Sequence, residues 1–209
     1  MKTAITPKEK LFGTAARLFY QNGYRAVGVD TIAAESGIGK MTLYRHYPSK
    51  DDLIVAFLRQ SDEDFWGYFE QSTKQATTAR GKLLAFFAAL GDYATSPGCY
   101  GCPFINVATE FPQPDYPGHK IAWEHKERVR ARFRQLAEDA EAPKPDALAN
   151  ALLLLMDGAY MAARMYGASP DNPAAGVAEA ARRLIDSERD FEQASSFPVG
   201  SRTGQANSA

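Results

Sequence analysis

The chain has 209 residues, an apolar share of 45% and a net charge of −1. That length suits one or two small domains with a good core. No apolar run reaches the roughly 18 residues of a membrane span. The opening MKTAITPKEK has no apolar signal region, so the expectation is a cytoplasmic protein with no membrane partner.

The small net charge hides an asymmetry. Residues 1–50 hold eight Lys/Arg and three acids, a balance of +5, and the remainder carries −6. A basic head on an acidic body suits a polyanion gripped at one end. Charge alone could equally mark a solvated face.

Thr6-Pro7-Lys8-Glu9 predicts a helix start, with Thr as cap, Pro at the first position and Glu three residues after the cap. Leu11, Ala15, Leu18 and Phe19 give this first helix its core stripe, and Gly23 ends it. A second helix is predicted from about Asp30 to Ser36 and a third from about Lys40 to His46. Gly37 makes the turn between them. Leu43 and Tyr47, four residues apart, share the inner face of the third helix. Met41, Thr42 and Arg45 then point outward with Tyr44 on the flank. A short helix with a polar outer face has little structural use alone, but it suits a DNA major groove. The plainer alternative is an ordinary helix pair in an α-helical core.

Pro48 breaks the chain, and Ser49-Lys50-Asp51-Asp52 restarts it as a long fourth helix to about Gln75. Helices are predicted over about 78–95, 103–111, 118–140, 145–166 and 173–187, and no stretch alternates like a strand. The fold class is therefore all-α: a three-helix head over 1–50 and a helical body over 51–192, about nine helices in total. The tail from Gln193 to Ala209 is small and polar and is expected to be disordered.

Residues 8–54 closely resemble the N-terminal domain of the TetR family of transcriptional regulators. The resemblance rests on Ala15, Leu18 and Phe19, then Asn22-Gly23-Tyr24, Ile32-Ala33 and Gly37-Ile38. It continues through Thr42-Leu43-Tyr44, His46-Tyr47 and Ser49-Lys50. It implies a homodimeric, ligand-responsive repressor of a double-stranded, palindromic operator. It also supports phosphate contacts from Lys50, Thr42 and Tyr44, with His46 near the backbone. Lys40, Met41 and Arg45 are the candidate base readers. Arg45 can fork to a guanine, and Met41 can pack on a thymine methyl. The family often has Ser or Thr where this chain has Gly28 and Gly39, which puts two phosphate contacts in doubt. Glycine caps a helix at a cost of only a few tenths of a kcal/mol.

In the body, the eighth and ninth helices (about 145–187) are the dimer candidates. LANALLLLMDGAYMAARMYG is apolar nearly all round, and Ala174, Ala175, Ala178, Ala180 and Ala181 permit close approach. A pocket for a small apolar or aromatic effector is expected between the fourth and eighth helices. Its candidate residues are Trp66, Phe69, Phe87, Phe104, Trp123 and Tyr160, with Asn106, Glu110 and His125 as orienting polar groups. Helical aromatic stripes are more often plain core.

Cys99-x-x-Cys102 leaves a thiol switch open, as the alternative to a ligand-responsive or a ligand-independent regulator. A zinc site with His119 or His125 lacks the usual spacing. No cofactor and no catalytic activity are expected. There is no G-x-S-x-G, no H-E-x-x-H and no phosphate-cradling loop. Gly37-Ile38-Gly39-Lys40 lacks the spacing of one.

Overall fold

The computed structural model describes residues 5–195, with side chains described up to Ser187. Those residues form nine α-helices and one 3-10 turn. The helices are α1 (Pro7–Asn22), α2 (Val29–Ser36), α3 (Lys40–His46), α4 (Lys50–Thr73) and α5 (Ala79–Ala94). They continue with α6 (Pro103–Glu110), α7 (Pro117–Asp139), α8 (Pro145–Tyr166) and α9 (Val177–Ser195). None of them is long and apolar enough to cross a membrane.

Local chemistry sets the boundaries. At α1 the Thr6 hydroxyl accepts from the Glu9 amide while the Glu9 carboxylate accepts from the Thr6 amide. Ser49 and Asp52 repeat the device at α4. Each closes two backbone donors that a helix start leaves unpaired. Gly37 holds φ 65°, and its amide closes α2 onto Ala33 and Ala34. Gly28 and Gly39 start α2 and α3 with no side-chain cap.

The end of the chain departs from expectation. Pro173–Gly176 is a 3-10 turn, and α9 begins only at Val177. The cause is Asn172, which is buried. Its Oδ1 accepts from the Ala174 amide, and its Nδ2 donates to Gly167 O at 2.7 Å and to Ala94 O at 3.2 Å. A side chain that caps so tightly favours a turn before the helix. Residues 193–195, placed at the start of the expected tail, still belong to α9; residues 196–209 lie outside the described residues.

One apolar core runs from head to body. In the head, Leu11, Leu18, Phe19, Ile32 and Leu43 are buried around α1, and Leu53 and Ile54 of α4 close the cluster. In the body, Phe69, Phe86, Phe87 and Phe133 pack ring on ring, with centroids 5.0–5.7 Å apart along the chain of contacts. This cluster ties α4 and α5 to α7, and α7 packs on α8. Helix α4 therefore begins in the head and ends in the body core.

Candidate functional site

The turn at Gly37 sets α3 across α2 with Leu43 fully buried and Tyr47 nearly so. That anchoring decides what faces out. Met41 is 85% exposed and Tyr44 46%. Arg45 is exposed, while Thr42 and His46 are half-buried. Lys40 is ion-paired to Asp30 across the turn, so its ammonium meets a carboxylate before it could meet a base. Lys50 is the first residue of α4 and half-buried. Burial lowers its pKa from the ordinary lysine value, against the pull of Asp51 and Glu110. The two acids beside it are already occupied. Asp52 serves the Ser49 cap, and Asp51 accepts from the Tyr116 hydroxyl at 2.9 Å.

The head is latched to the body by polar contacts concentrated at the end of α1. Glu110, the last residue of α6, accepts from the amides of Tyr24 at 3.0 Å and Arg25 at 2.6 Å. The Tyr24 hydroxyl donates to Pro103 O at 2.8 Å. Arg25 lies over the Phe111 ring, 4.8 Å from its centroid. Arg164 of α8 donates to Gln21 O at 3.1 Å. Tyr20 reaches furthest. Its hydroxyl lies 2.9 Å from Gly101 O and 3.0 Å from the Tyr93 hydroxyl, and accepts from the Tyr100 amide at 3.2 Å.

Tyr20 also lines a body cavity of about 320 Å³. Phe57, Phe65 and Tyr68 of α4 form one wall, and Tyr93 of α5 lies beside Tyr20. Phe104, His125, Met156 and Tyr160 bring in α6, α7 and α8. Asp64, exposed, is the one carboxylate in the lining, and no Lys or Arg joins it. Three of the nine expected effector contacts therefore meet there: Phe104, His125 and Tyr160.

The other six lie elsewhere, each for a visible reason. Phe69 and Phe87 are spent in the phenylalanine cluster of the core. Trp66 packs on Phe65 and Phe69, and its indole N–H donates to Asp62 at 3.1 Å. Asn106 turns back toward Tyr100 O. Glu110 caps head amides rather than a ligand. Trp123 is 63% exposed on the outside of α7. Sequence reasoning did not include Tyr20 in the site. Its one signal is position: it follows Phe19 and so leaves the stripe that α1 turns to the head core.

The cysteines are both free and both buried. Burial pushes the Cys99 thiol up, away from the thiolate that a redox switch needs. His119 faces Phe111 O and His125 faces Asp62. Among the described residues, no group of three metal-ligating side chains comes together.

A helix held by its inner face, with Arg, Tyr and Met turned to solvent and a lysine at the next helix start, is shaped to enter a groove and touch its backbone. The chain is a DNA-binding transcriptional regulator. Comparison with known proteins gives the particular family. The pattern "Bacterial regulatory proteins, tetR family" matches residues 11–57, and "Tetracyclin repressor-like, C-terminal domain" matches residues 79–181. The chain is similar to SCO4454, a TetR-family transcriptional regulator from Streptomyces coelicolor. Identity is 31%, coverage is 88% of this chain and 95% of that one, and the TM-score is 0.79. A TetR regulator from Streptomyces avermitilis is 29% identical, with 88% and 98% covered and a TM-score of 0.77. The HTH-type transcriptional regulator YjdC of Escherichia coli is 26% identical over 153 residues, 72% of this chain and 80% of that protein. The chain belongs to the TetR family. It is a transcription factor rather than an enzyme, of a family that binds operator DNA and forms dimers.

Proposed function

We propose that this chain is a homodimeric repressor whose head, residues 1–50, leaves a palindromic operator when a small aromatic molecule enters the body, residues 51–192. The shared cavity wall carries the reading. Tyr20 belongs to α1 of the head yet lines the body cavity, where it bonds to Tyr93 and Gly101. A ligand there competes with the contacts that fix the head angle. It needs only a different affinity for the two head positions to shift DNA binding.

Within that reading Arg45 and Met41 read bases, with Lys40 beside them once Asp30 releases it. Lys50, Tyr44, Thr42 and His46 hold phosphates. The dimer contact falls mainly to α8. Leu154, Met161 and Met165 are exposed at spacings of seven and four, with the exposed Gly158 between them, so they form one apolar stripe. Helix α9 contributes less apolar surface. Ala174 and Ala181 are buried within the subunit, and Glu179, Arg182 and Arg183 form an ion-paired outer face.

The test is to preform the complex with labelled DNA from upstream of the protein's own gene and add neutral aromatic compounds. At least one compound that raises the Tm of the free protein is expected to release the DNA. If compounds bind the body and none changes operator affinity, effector release is wrong.

A further inference from the structure

The cavity holds one polar side chain set apart from the rest. His125 is only 2% exposed, yet it lines the void. Its Nδ1 lies 2.7 Å from Asp62 Oδ1. Asp62 is itself fixed by Arg128 at 2.5 Å and by the Trp66 indole at 3.1 Å. Phe104 stacks on the imidazole at a centroid distance of 3.7 Å and an angle of 11°, and Phe65 meets it edge-on at 4.8 Å. The ring is held by a stacked Phe104, a perpendicular Phe65 and a bond at one nitrogen.

The other nitrogen, Nε2, has no partner among the described residues. Among the described residues, no fully enclosed side-chain nitrogen or oxygen lacks a partner. Nε2 is therefore not fully enclosed, and His125 lines the cavity. Tyr160, whose hydroxyl has no hydrogen-bond partner among the described residues either, lines the same void.

Resting on the effector reading above, we propose that His125 is the specificity residue of the cavity and that the effector is an uncharged aromatic molecule bearing a hydroxyl, of the phenol or naphthol class. The hydroxyl would donate to Nε2, and the ring would lie among Phe57, Phe65 and Tyr160. Asp62, an ionised acceptor, holds the proton on Nδ1 and leaves Nε2 as a lone pair. Burial pushes the His125 pKa down to about 4, so the ring is neutral near pH 7. An aromatic carboxylate finds no Lys or Arg in the lining. An aromatic ammonium finds only Asp64, which is exposed and already accepts from Gln60.

The test titrates the purified full-length protein with four probes of one shape: 2-naphthol, 2-methoxynaphthalene, 2-naphthoate and 2-naphthylmethylammonium. A buried acceptor left unpaired is costly, so naphthol should bind about tenfold tighter than each of the others. His125→Phe keeps the stacking and removes the acceptor, and should cut the preference over methoxynaphthalene to about twofold or less. A second readout needs no variant. The nitrogen resonance of Nε2 should move on adding naphthol and stay still with methoxynaphthalene. Equal binding of those two, preference for either ion, binding of none of the four, or an unmoved Nε2 resonance would overturn the proposal. Naphthol preference with unchanged operator affinity would keep the cavity assignment and sink effector release. Operator release by a carboxylate or ammonium compound would do the reverse.

Discussion

Arg45 and Lys50 differ in their setting: Arg45 is exposed on α3, and Lys50 is half-buried at the start of α4, so in the proposed complex the first would read a base edge and the second would hold a phosphate. Arg45→Ala should therefore relax preference at one operator position by about 1–3 kcal/mol, seen by binding to single-base operator variants. Lys50→Ala should weaken binding to all sequences and reduce the salt slope by about 1. Equal effects of the two on every sequence would contradict that division. Gly23 is the most constrained position of the latch. It holds φ 88° and ψ 165°, a region essentially reserved for glycine, and an added Cβ would stand 2.8 Å from Glu110 Oε1. Gly23→Ala should cost about 1–3 kcal/mol of stability and speed hydrogen exchange at the Tyr24 and Arg25 amides. His125 gives the fold an acid-sensitive point. The unfolded chain takes up this proton near pH 6.5 and the folded ring only near 4. Acidification through that window favours the unfolded state, by up to about 3 kcal/mol. Denaturant titrations at pH 7 and pH 4.5 should show the loss, and His125→Phe should flatten it.

Elements show what a sequence makes legible and what it does not. The starts of α1 and α4 could be read because Thr6, Glu9, Ser49 and Asp52 act within four residues of chain. The outer face of α3 could be read because Leu43 and Tyr47 fix the inner one. Helix α9 could not be placed correctly from Pro173. The controlling contacts of Asn172 reach Ala94, which is distant in sequence. The same limit applied to the cavity. His125 and Glu110 looked alike as polar groups in apolar surroundings, yet one lines the void and the other caps amides of the head. Contacts distant in sequence separate them: Glu110, at the end of α6, meets the Tyr24 and Arg25 amides just past α1, while His125 lies on α7 beside the cavity. Among the helices, α8 carries the sharpest expectation. Leu154→Glu places a charge in the apolar stripe, and a desolvated, unpaired carboxylate opposes association by several kcal/mol. Sedimentation should show monomers with unchanged helix content and weaker operator binding. A dimer as tight as the parent would move the interface off α8.

At the scale of the whole molecule, a long α4 is shared by two packing environments. Its first turns close the head core through Leu53 and Ile54, and its middle lines the cavity through Phe57, Ser61 and Phe65. Tyr20, Glu110 and Arg164 join the two regions from other directions. A dimer with this build presents two α3 helices at a fixed separation, and half-sites one or more turns apart then set the affinity. The most direct measurement is a titration of the ligand-free protein onto labelled DNA from upstream of its own gene and its neighbour. It should be run at physiological salt with random-sequence competitor, because phosphate contacts alone bind any duplex. Operator binding should be at least about 10³-fold tighter than binding to random DNA. Equal affinity for every upstream fragment and for random DNA would contradict it, since α3 would then be gripping the backbone without reading the bases.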